Sequence, residues 1–363
     1  MTRIFIYEFV SGGGFLGQEL PPPSLFREGF AMASTLASDF AQIDDTEVRV
    51  LQDQRFASAK WSKQVRATVV GDPAERAAAW QKHVPRADYT VVIAPEFDKI
   101  LWRAARDVLT LGGNLLGPSA DLIAWASDKS ATAMRLAAAN IPVPQGQTGT
   151  PTQLAGCRLS FPRIVKWNDG AGSLAMCTLT NQAEFEQWLR QQASEDPTRL
   201  WRVETQHAGK PASVGMLLGP HERVVFLPPC WQHLSNDGCY AYQGCSPITD
   251  PQLTARATQL AQRCYACFRS TTGIANATCR TKDSNSDLRP GVGYIGVDIL
   301  LDTENQDPTD CVVEVNPRLT TSYVGLRHGT SQNLAHLMLD VAAGGHSELV
   351  VSDTPWQLRV ADL

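Results

Sequence analysis

The sequence has no excess of positive charge and no apolar run long enough to cross a membrane. Its 32 lysine and arginine residues stand against 37 aspartate and glutamate residues, a formal net charge of −5. Because a general nucleic-acid coat needs a basic surface, we expect no nucleic-acid partner, although a local basic pocket for a phosphate ligand stays open. Apolar runs such as residues 91–94 are far too short to span a bilayer, so we also expect no membrane partner.

Cysteine is absent before Cys157, and the nine cysteines of the chain are an odd number. In a chain of 363 residues this distribution is not typical of a disulfide framework. The first residues carry charge at Arg3 and Glu8 and lead into a glycine cluster, which is not the pattern of a signal peptide. Together these features predict a cytoplasmic protein with reduced thiols.

Composition and length are typical of a folded chain with more than one domain. Hydrophobic residues make up 43% and charged residues 19%, so the chain can bury a core and long disorder is not expected. A length of 363 residues predicts two to three domains or lobes.

Strand and helix patterns alternate over residues 1–120. Strands are predicted at residues 3–10, 48–51 and 89–94, and a helix is predicted from Ser24, its N-cap, to about residue 38. This alternation favours a parallel α/β lobe.

A different pattern begins near residue 128. A helix with Ser127 as its N-cap is predicted over residues 128–140. Two strands, at residues 161–167 and 174–179, are predicted to form a hairpin whose tip is rich in glycine.

The rest of the chain predicts a second, antiparallel sheet. Residues 203–218 and 223–227 are expected to form strands of this separate sheet. A long helix is predicted over residues 251–271, and the segments 294–301 and 311–315 are predicted to pair across a polar loop.

The strongest motif combines Asp298 on one of these strands with Glu314 and Asn316 on the other. Alternate side chains of a strand share a face, so Glu314 and Asn316 should point the same way while Val313 and Val315 face the core. If the two strands pair, three oxygen ligands converge, and a set of few oxygen ligands suits Mg²⁺. The competing interpretation is a solvated strand face with carboxylates there by chance.

Two lysines form the second and third motifs. Lys166 lies inside an apolar strand, where burying an ammonium costs free energy unless it contacts an anion. The turn at residues 170–173 can bring backbone N–H groups against phosphate oxygens. The alternative is an edge-strand lysine before an ordinary hairpin turn. Lys129 follows a predicted helix start and, taken alone, is more simply explained as a solvated lysine.

Taken in order, these motifs resemble the ATP-grasp superfamily over roughly residues 120–345. The segments that carry the resemblance are Asp128-Lys129, Ile141 to Pro144, Phe161 to Ser173, Gly296 to Asp298 and Glu314 to Arg318. The resemblance implies an α/β plus α+β chain, in which an N-terminal parallel α/β lobe precedes two lobes that close on ATP. The expected domains are residues 1–120, 121–200 with the glycine-rich loop, and 201–363 with the metal site and a C-terminal helix.

The same resemblance implies roles for the phosphate-binding residues. Lys129 and Lys166 would hold the α- and β-phosphates of ATP, and Lys166 would also serve catalysis. The residues that would close over the β- and γ-phosphates are Gly170, Ala171, Gly172 and Ser173.

It also implies roles for the acidic cluster. Asp298, Glu314 and Asn316 would hold two Mg²⁺ ions, with Mn²⁺ as an alternative metal and Glu314 bridging. Arg318 is the candidate for stabilising an acyl phosphate or an oxyanion, and a structural salt bridge is its competing interpretation.

The segment at residues 203–207 matches the family's hinge beside adenine, with Glu204 facing the exocyclic amine and Gln206 and His207 close by. Family members often carry a glutamate for the ribose where this chain has Pro211.

A narrower resemblance lies at residues 7–13, which look like those of the tyramine–glutamate ligase group of methanofuran biosynthesis, with bacterial relatives in pterin-linked one-carbon pathways. It implies that Glu8, Ser11, Gly12 and Gly13 lie near the acceptor substrate. The substrates would be glutamate and tyramine, tyrosine or another aromatic amine.

The main hypothesis is therefore an ATP-dependent carboxylate–amine ligase that works on small molecules through an acyl phosphate and releases ADP and phosphate. A nucleotide-binding module without ligase activity is the second. An NAD-dependent oxidoreductase is the third, because the spacing of Gly12, Gly14 and Gly17 satisfies the dinucleotide fingerprint, although three prolines delay the helix that this fingerprint needs. Whether the protein forms a homodimer stays open.

Cys230, Cys239 and Cys245 with His233 form a looser cluster. Zinc is one interpretation of this cluster. The favoured ones are ordinary packing or a loop that lines a substrate pocket.

Overall fold

The computed structural model describes residues 1–172, 174–269, 291–352 and 354–360. The strands are β1 Thr2–Glu8, β2 Thr46–Asp53, β3 Val65–Val70, β4 Tyr89–Ile93, β5 Gly117–Pro118, β6 Gly146–Gly149, β7 Arg163–Trp167, β8 Cys177–Leu179, β9 Trp201–Thr205, β10 Lys210–Leu218, β11 Val224–Phe226, β12 Cys230–Leu234, β13 Tyr242–Pro247, β14 Gly291–Leu301, β15 Cys311–Asn316 and β16 Leu358–Arg359. The helices are α1 Pro23–Ala41, α2 Pro73–His83, α3 Ile100–Thr110, α4 Ala120–Ala126, α5 Lys129–Ala138, α6 Pro151–Leu154, α7 Gln182–Glu195, α8 Pro251–Arg269, α9 Ser322–Leu326 and α10 Leu334–Ala342.

The first sheet has the order β3-β2-β1-β4, and its strands are parallel, as the alternating pattern predicts. Successive side chains of β1 point to opposite faces. Ile4 and Ile6 therefore pack with α1, while Phe5 and Tyr7 pack in a second core with residues of α2 and α3. Both faces of the sheet are covered, which is typical of parallel sheets.

Helix α1 begins at Pro23, one residue before the predicted N-terminus, and no side chain caps it. Proline is well suited to this position because its ring fixes a helical φ and the missing N–H has no helical partner there. The predicted capping role of Ser24 is therefore wrong.

The second sheet is small and antiparallel, with the order β6-β9-β7-β8. Its core is formed by α6 and α7 packing on one face. The prediction of a single strand over residues 203–218 is wrong, because β9 ends at Thr205 in this sheet and β10 starts at Lys210 in another. Gly209 in the link has a φ of +133°, a conformation that glycine adopts readily.

The third sheet follows the order β15-β14-β10-β12-β13-β16, with β11 beside β10 and β5 beside β14. Alternate residues of β10 and β14 feed a core with α8 on one face. The other face packs with α9 and α10 and joins the core of α1 and the first sheet. Helix α8 is described to Arg269; the rest of the predicted helix lies outside the described residues.

In the described part of the chain, no helix is both long enough and apolar enough to cross a membrane.

The buried residue Asp39 fixes α1 to the helical layer, α9 and α10, that packs on the third sheet. Its Oδ2 accepts a hydrogen bond from the hydroxyl of Tyr323 at 2.9 Å, and its Oδ1 lies 2.7 Å from Nη2 of Arg327. Asn333 Nδ2 donates to the backbone oxygen of Asp39 at 2.7 Å. Burial raises the pKa of Asp39 although Arg327 opposes this effect, so the carboxylate depends on these partners.

Replacing Asp39 by alanine should destabilise the protein by roughly 2–4 kcal/mol, because it leaves Arg327 and Tyr323 without their acceptor. Urea denaturation at neutral pH measures the effect, with Asp44→Ala as the control at an exposed position. Equal unfolding midpoints for the two variants would show that the contact between α1 and the third sheet does not need this carboxylate.

Candidate functional site

A cavity of about 320 Å³ lies between the second and third sheets, and Glu28 of α1 forms part of its wall. The structure brings most of the residues predicted for phosphate and metal binding into this one cavity. Those that line it are Lys129, Lys166, Gly170, Gly172, Glu204, Gln206, His207, Asp298, Glu314, Asn316 and Arg318.

One carboxylate in the cavity wall holds two cations. Lys166 Nζ lies 2.7 Å from Glu204 Oε2, and Arg202 Nε donates to Glu204 Oε1 at 2.5 Å. Lys166 of β7 pairs with Arg202 of β9, and Glu204 lies two residues further on the same face. All three side chains are 5% exposed. The group therefore carries a net positive charge in a buried place, which suits an anion.

Lys129 lies on the opposite wall, at the start of α5. Its Nζ lies 2.9 Å from Glu314 Oε2 and donates to the backbone oxygen of Gly170 at 2.6 Å. Burial works against the ammonium form, but Glu314 and, from further away, Glu96 outweigh it and raise the pKa of Lys129. Lys129 is therefore charged at neutral pH.

Asn168 holds the start of α5 against the end of β7, a role that the sequence did not indicate. Its Oδ1 accepts from the N–H of Ser130 at 3.1 Å, and its backbone oxygen accepts from the N–H of Lys129 at 3.0 Å. Its Nδ2 donates to Asp128 Oδ1 at 2.9 Å. Asp128, not Ser127 as predicted, caps the helix. The sequence feature that could have pointed to Asn168 is its polar amide directly after an apolar strand.

The glycine-rich turn follows at once. Gly170 and Gly172 line the cavity, whereas Ala171 is buried, and Ser173 lies outside the described residues. Gly172 has a φ of +62°, and no atom lies within 4 Å of the place that a Cβ would take. The backbone at Gly172 is thus open to a ligand.

Asp298 and Glu314 face each other across β14 and β15. Asn316 Nδ2 donates to Asp298 Oδ2 at 2.8 Å, and Gln232, which sequence reasoning missed, donates to Asp298 Oδ1 at 2.9 Å. Burial and then the charge of Glu314 raise the pKa of Asp298 to about 7. For Glu314 burial acts in the same direction, but Lys129 and Lys166 outweigh it and lower its pKa.

The expectation that Val313 faces the core is wrong. Asp298 pairs with Glu314 and Ile299 pairs with Val312, so Val313 is an extra residue in β15. Such a bulge rotates the strand locally. Val313 accordingly lines the cavity, while Val312 and Val315 are in the core.

The acidic cluster fits a divalent cation. Among the described residues, no group of three or more His, Cys, Asp or Glu side chains is arranged to hold a metal, so an ion at Asp298 and Glu314 would complete its shell with the Asn316 amide, water and phosphate. Mg²⁺ binds in this manner. Burial raises the pKa of Asp298 most, and repulsion from Glu314 adds to this effect; a cation between the two carboxylates would remove the repulsion.

Glu204, Gln206 and His207 all line the cavity, and the hinge between β9 and β10 runs along its edge. Both carboxylate oxygens of Glu204 are engaged by cations, so its predicted contact with an adenine amine stays a prediction. Gln206 Nε2 donates to the hydroxyl of Tyr240 at 3.4 Å. Pro211, which stands where family members often carry a glutamate for the ribose, lies in the cavity wall.

Arg318 forms a salt bridge and also lines the cavity. Its Nε donates to Glu96 Oε1 at 2.9 Å, and both side chains are largely buried. Burial disfavours the guanidinium charge, but Glu96 outweighs it and raises the pKa of Arg318. Glu96 follows β4 of the first sheet, so the Arg318–Glu96 pair links the first sheet to the site. Sequence reasoning missed Glu96 because it is distant from Arg318 in the chain.

The predicted acceptor residues Glu8, Ser11, Gly12 and Gly13 are buried and do not belong to the described lining of the cavity. The carboxylate of Glu8 accepts the N–H groups of Val10 and Ser11 at 2.9 and 2.6 Å, which fixes the turn after β1. Their contact with a substrate stays a prediction.

The glycines of the dinucleotide fingerprint pack against protein atoms. A Cβ at Gly12 would meet Tyr7, and one at Gly14 would meet Phe9 within 3 Å. The helix that follows begins only at Pro23. This turn therefore does not lead into a helix N-terminus, as a pyrophosphate site requires.

Of the loose cysteine cluster, Cys230 and Cys245 are buried in the core, and Cys239 is exposed on a loop. His233 Nε2 is 2.9 Å from the hydroxyl of Ser246. These positions favour packing over zinc.

Thr178 and Arg199 join the second sheet and its flanking segments to the rest of the protein. Thr178 of β8 donates its N–H to the oxygen of Gly238 at 3.0 Å, and its hydroxyl is 2.8 Å from that of Tyr240. Elsewhere Arg199 Nη1 lies 2.9 Å from Asp98 Oδ1, beyond β4. The second sheet is thus held to a loop between β12 and β13 of the third sheet and to the segment that follows β4 of the first sheet.

Two family models match the chain. The pre ATP-grasp 3 domain matches residues 46–123, and the ATP-grasp domain matches residues 126–276.

Solved structures with this fold cover nearly the whole chain. An ATP-grasp superfamily protein from Archaeoglobus fulgidus is 21% identical, with a TM-score of 0.65 over 96% of this chain and 90% of that one. N5-carboxyaminoimidazole synthetase from Staphylococcus aureus is 15% identical, with a TM-score of 0.67 over 97% and 79%. L-amino acid ligase from Bacillus licheniformis is 14% identical, with a TM-score of 0.64 over 96% and 78%. With a parallel first sheet, two antiparallel sheets around the cavity and both family models in order, the chain belongs to the ATP-grasp superfamily.

Proposed function

We propose that this protein is an ATP-dependent ligase that joins a small carboxylate to an amine through an acyl phosphate, releasing ADP and phosphate. The observation that carries the proposal is the cavity in which Lys129, Lys166 and Arg318 meet the carboxylates of Asp298 and Glu314. Positively charged side chains that can bind phosphates and carboxylate oxygens that can bind a divalent ion thus line the same cavity. The solved L-amino acid ligase has the same fold and supports the reaction class.

We expect the nucleotide to lie with its adenine ring beside the hinge. Two apolar residues of the lining support this orientation, because Ile164 pairs with Glu204 and Leu300 pairs with Pro211, at either side of the hinge. Lys129 and Lys166 lie where the phosphates would follow, and the open backbone at Gly172 can donate N–H groups to phosphate oxygens.

Asp298, Glu314 and Asn316 would hold Mg²⁺, or Mn²⁺ in its place. When bound, the ion supplies charge neutralisation for the phosphates. Lys129 and Glu314 keep each other charged and oriented in the absence of ligand, so these groups are already placed.

In the proposed reaction, a carboxylate oxygen of the acid attacks the γ-phosphorus of ATP, and the bond to the β-phosphate oxygen breaks to give ADP. The amine nitrogen then attacks the acyl carbon and phosphate leaves, while the amine loses a proton. Arg318, held by Glu96, is placed to stabilise negative charge on the acyl phosphate or the tetrahedral oxyanion. The protein contributes mainly position and charge.

Glutamate with tyramine, tyrosine or a related aromatic amine is the proposed substrate pair. Its support is the resemblance of residues 7–13 to the tyramine–glutamate ligase group.

The decisive experiment measures ADP, AMP and NADH turnover by the purified protein with Mg-ATP and a panel of acids and amines, each also omitted in turn. ADP that forms only with one acid and one amine would support the ligase and identify its substrates. Nucleotide binding without ADP across the panel would favour a non-catalytic module. NADH turnover would favour an oxidoreductase.

Replacing Lys166 by methionine should lower ADP formation at least 100-fold, because it removes a buried cation from the phosphate site. Lys63→Met, at an exposed position, is the matched control. Circular dichroism should show that both variants stay folded. Wild-type turnover in the Lys166 variant would contradict its assignment to the phosphates.

Replacing Asp298 by asparagine should raise the Mg²⁺ concentration for half-maximal ADP formation at least tenfold, because one anionic ligand is lost. Asp307→Asn, in the exposed loop between β14 and β15, should leave it unchanged. Chelation should abolish the wild-type activity, and added Mg²⁺ should restore it. An unaltered Mg²⁺ requirement in the Asp298 variant would place the metal elsewhere.

A further inference from the structure

Glu28 is a carboxylate in the cavity wall to which the reaction above assigns no role. It lies on α1 and is half-buried, and its carboxylate has neither a hydrogen bond nor an ion pair with any other residue that the structure describes. Burial raises its pKa to about 7, although Arg318 and Arg27 act against this from a distance.

The other carboxylates of the site differ from Glu28 because each already has a partner. Glu204 is held by Lys166, and Glu314 is held by Lys129. Asp298 accepts hydrogen bonds from two amides, those of Gln232 and Asn316. Glu28 is therefore the carboxylate that can meet a cation from solution without breaking an existing contact.

The position of Glu28 is fixed by the rest of α1. Glu28 and Asp39 are eleven residues apart on the helix, about three turns, so they lie on the same face, roughly 16 Å apart along the axis. Asp39 is bound to Tyr323 and Arg327 of the third sheet's helical layer. The same anchored face thus presents Glu28 to the cavity.

Hydroxyl groups accompany Glu28 in the cavity lining. Thr320, Thr321 and Ser322, which follow Arg318 in the chain, also line this space. A cavity lined by a free carboxylate and by hydroxyls is suited to a group with several N–H donors and a positive charge.

We propose that Glu28 binds the ammonium group of a substrate and so makes the enzyme selective for charged amines over neutral analogues. This proposal rests on the ligase function proposed above and adds the residue that recognises the amine. The ammonium belongs either to the acceptor amine or to an amino-acid donor, and the two sources are separated by experiment.

The test measures binding by calorimetry to the wild-type protein and to Glu28→Gln, both saturated with Mg-ADP. Tyramine is compared with tyrosol, in which a hydroxyl replaces the amine, and glutamate is compared with glutarate, which lacks it. A wider set of amino acids and primary amines is titrated in the same way. Glu19→Gln, at an exposed position before α1, is the matched charge control.

The expected result is a 10- to 100-fold loss of affinity in Glu28→Gln for one ammonium ligand, the range that a hydrogen bond to a charged group provides. The affinity for its neutral analogue, and that for ADP, should stay within twofold. A loss of affinity for tyramine assigns the site to the acceptor, and a loss of affinity for glutamate assigns it to the donor. Where turnover is found, the KM of the same substrate should rise by the same factor with little change in kcat.

Three results would overturn the proposal. One is equal affinity of the wild type for ammonium ligands and their neutral analogues throughout the set. Another is an equal loss of affinity for charged ligands and for their neutral analogues in Glu28→Gln. The third is weaker ADP binding, which would place Glu28 at the nucleotide instead. Failure of the ligase function itself shows separately, as an absence of ADP formation.

Discussion

The structure depends on the neutralisation of buried charge between parts of the chain that are far apart in sequence. Three ion pairs have nitrogen–oxygen distances of 2.7–2.9 Å: Lys166 with Glu204, Lys129 with Glu314, and Arg318 with Glu96. An unpaired ion in such places costs several kcal/mol. Lys166 and Glu204 pair within the second sheet, whereas the other two pairs form only when α5 and the first sheet come against the third sheet. The cavity forms where these parts meet.

These pairs also prepare the site for its ligand. A cation that is already desolvated and held in place loses little freedom when an anion arrives, so its attraction for the anion is not offset by reorganisation. Glu204 serves two cations and leaves a net positive charge beside the hinge. The N-terminal lobe takes part as well, because Glu96 holds Arg318 and α1 brings Glu28 into the wall.

Sequence reasoning succeeded where the signal is local and failed where it depends on distant partners. The parallel first sheet followed from alternating strands and helices, and the shared face of Glu314 and Asn316 followed from strand periodicity. The bulge at Val313 was missed because register is set by the partner strand. Glu96 and Gln232 were missed because only the tertiary fold places them beside Arg318 and Asp298. Glu28 was missed because only the fold brings α1 into the cavity wall.

The hydrogen bonds of Thr178 to Gly238 and Tyr240 bear on how molecules enter and leave. The first and third sheets share one core, so they stay together, whereas the second sheet is attached by its hinge and by such contacts. Releasing the two hydrogen bonds of Thr178 costs about 1–3 kcal/mol, and the ion pair of Arg199 with the exposed Asp98 adds little. A movement of the second sheet would therefore widen access to the cavity at a small cost in free energy.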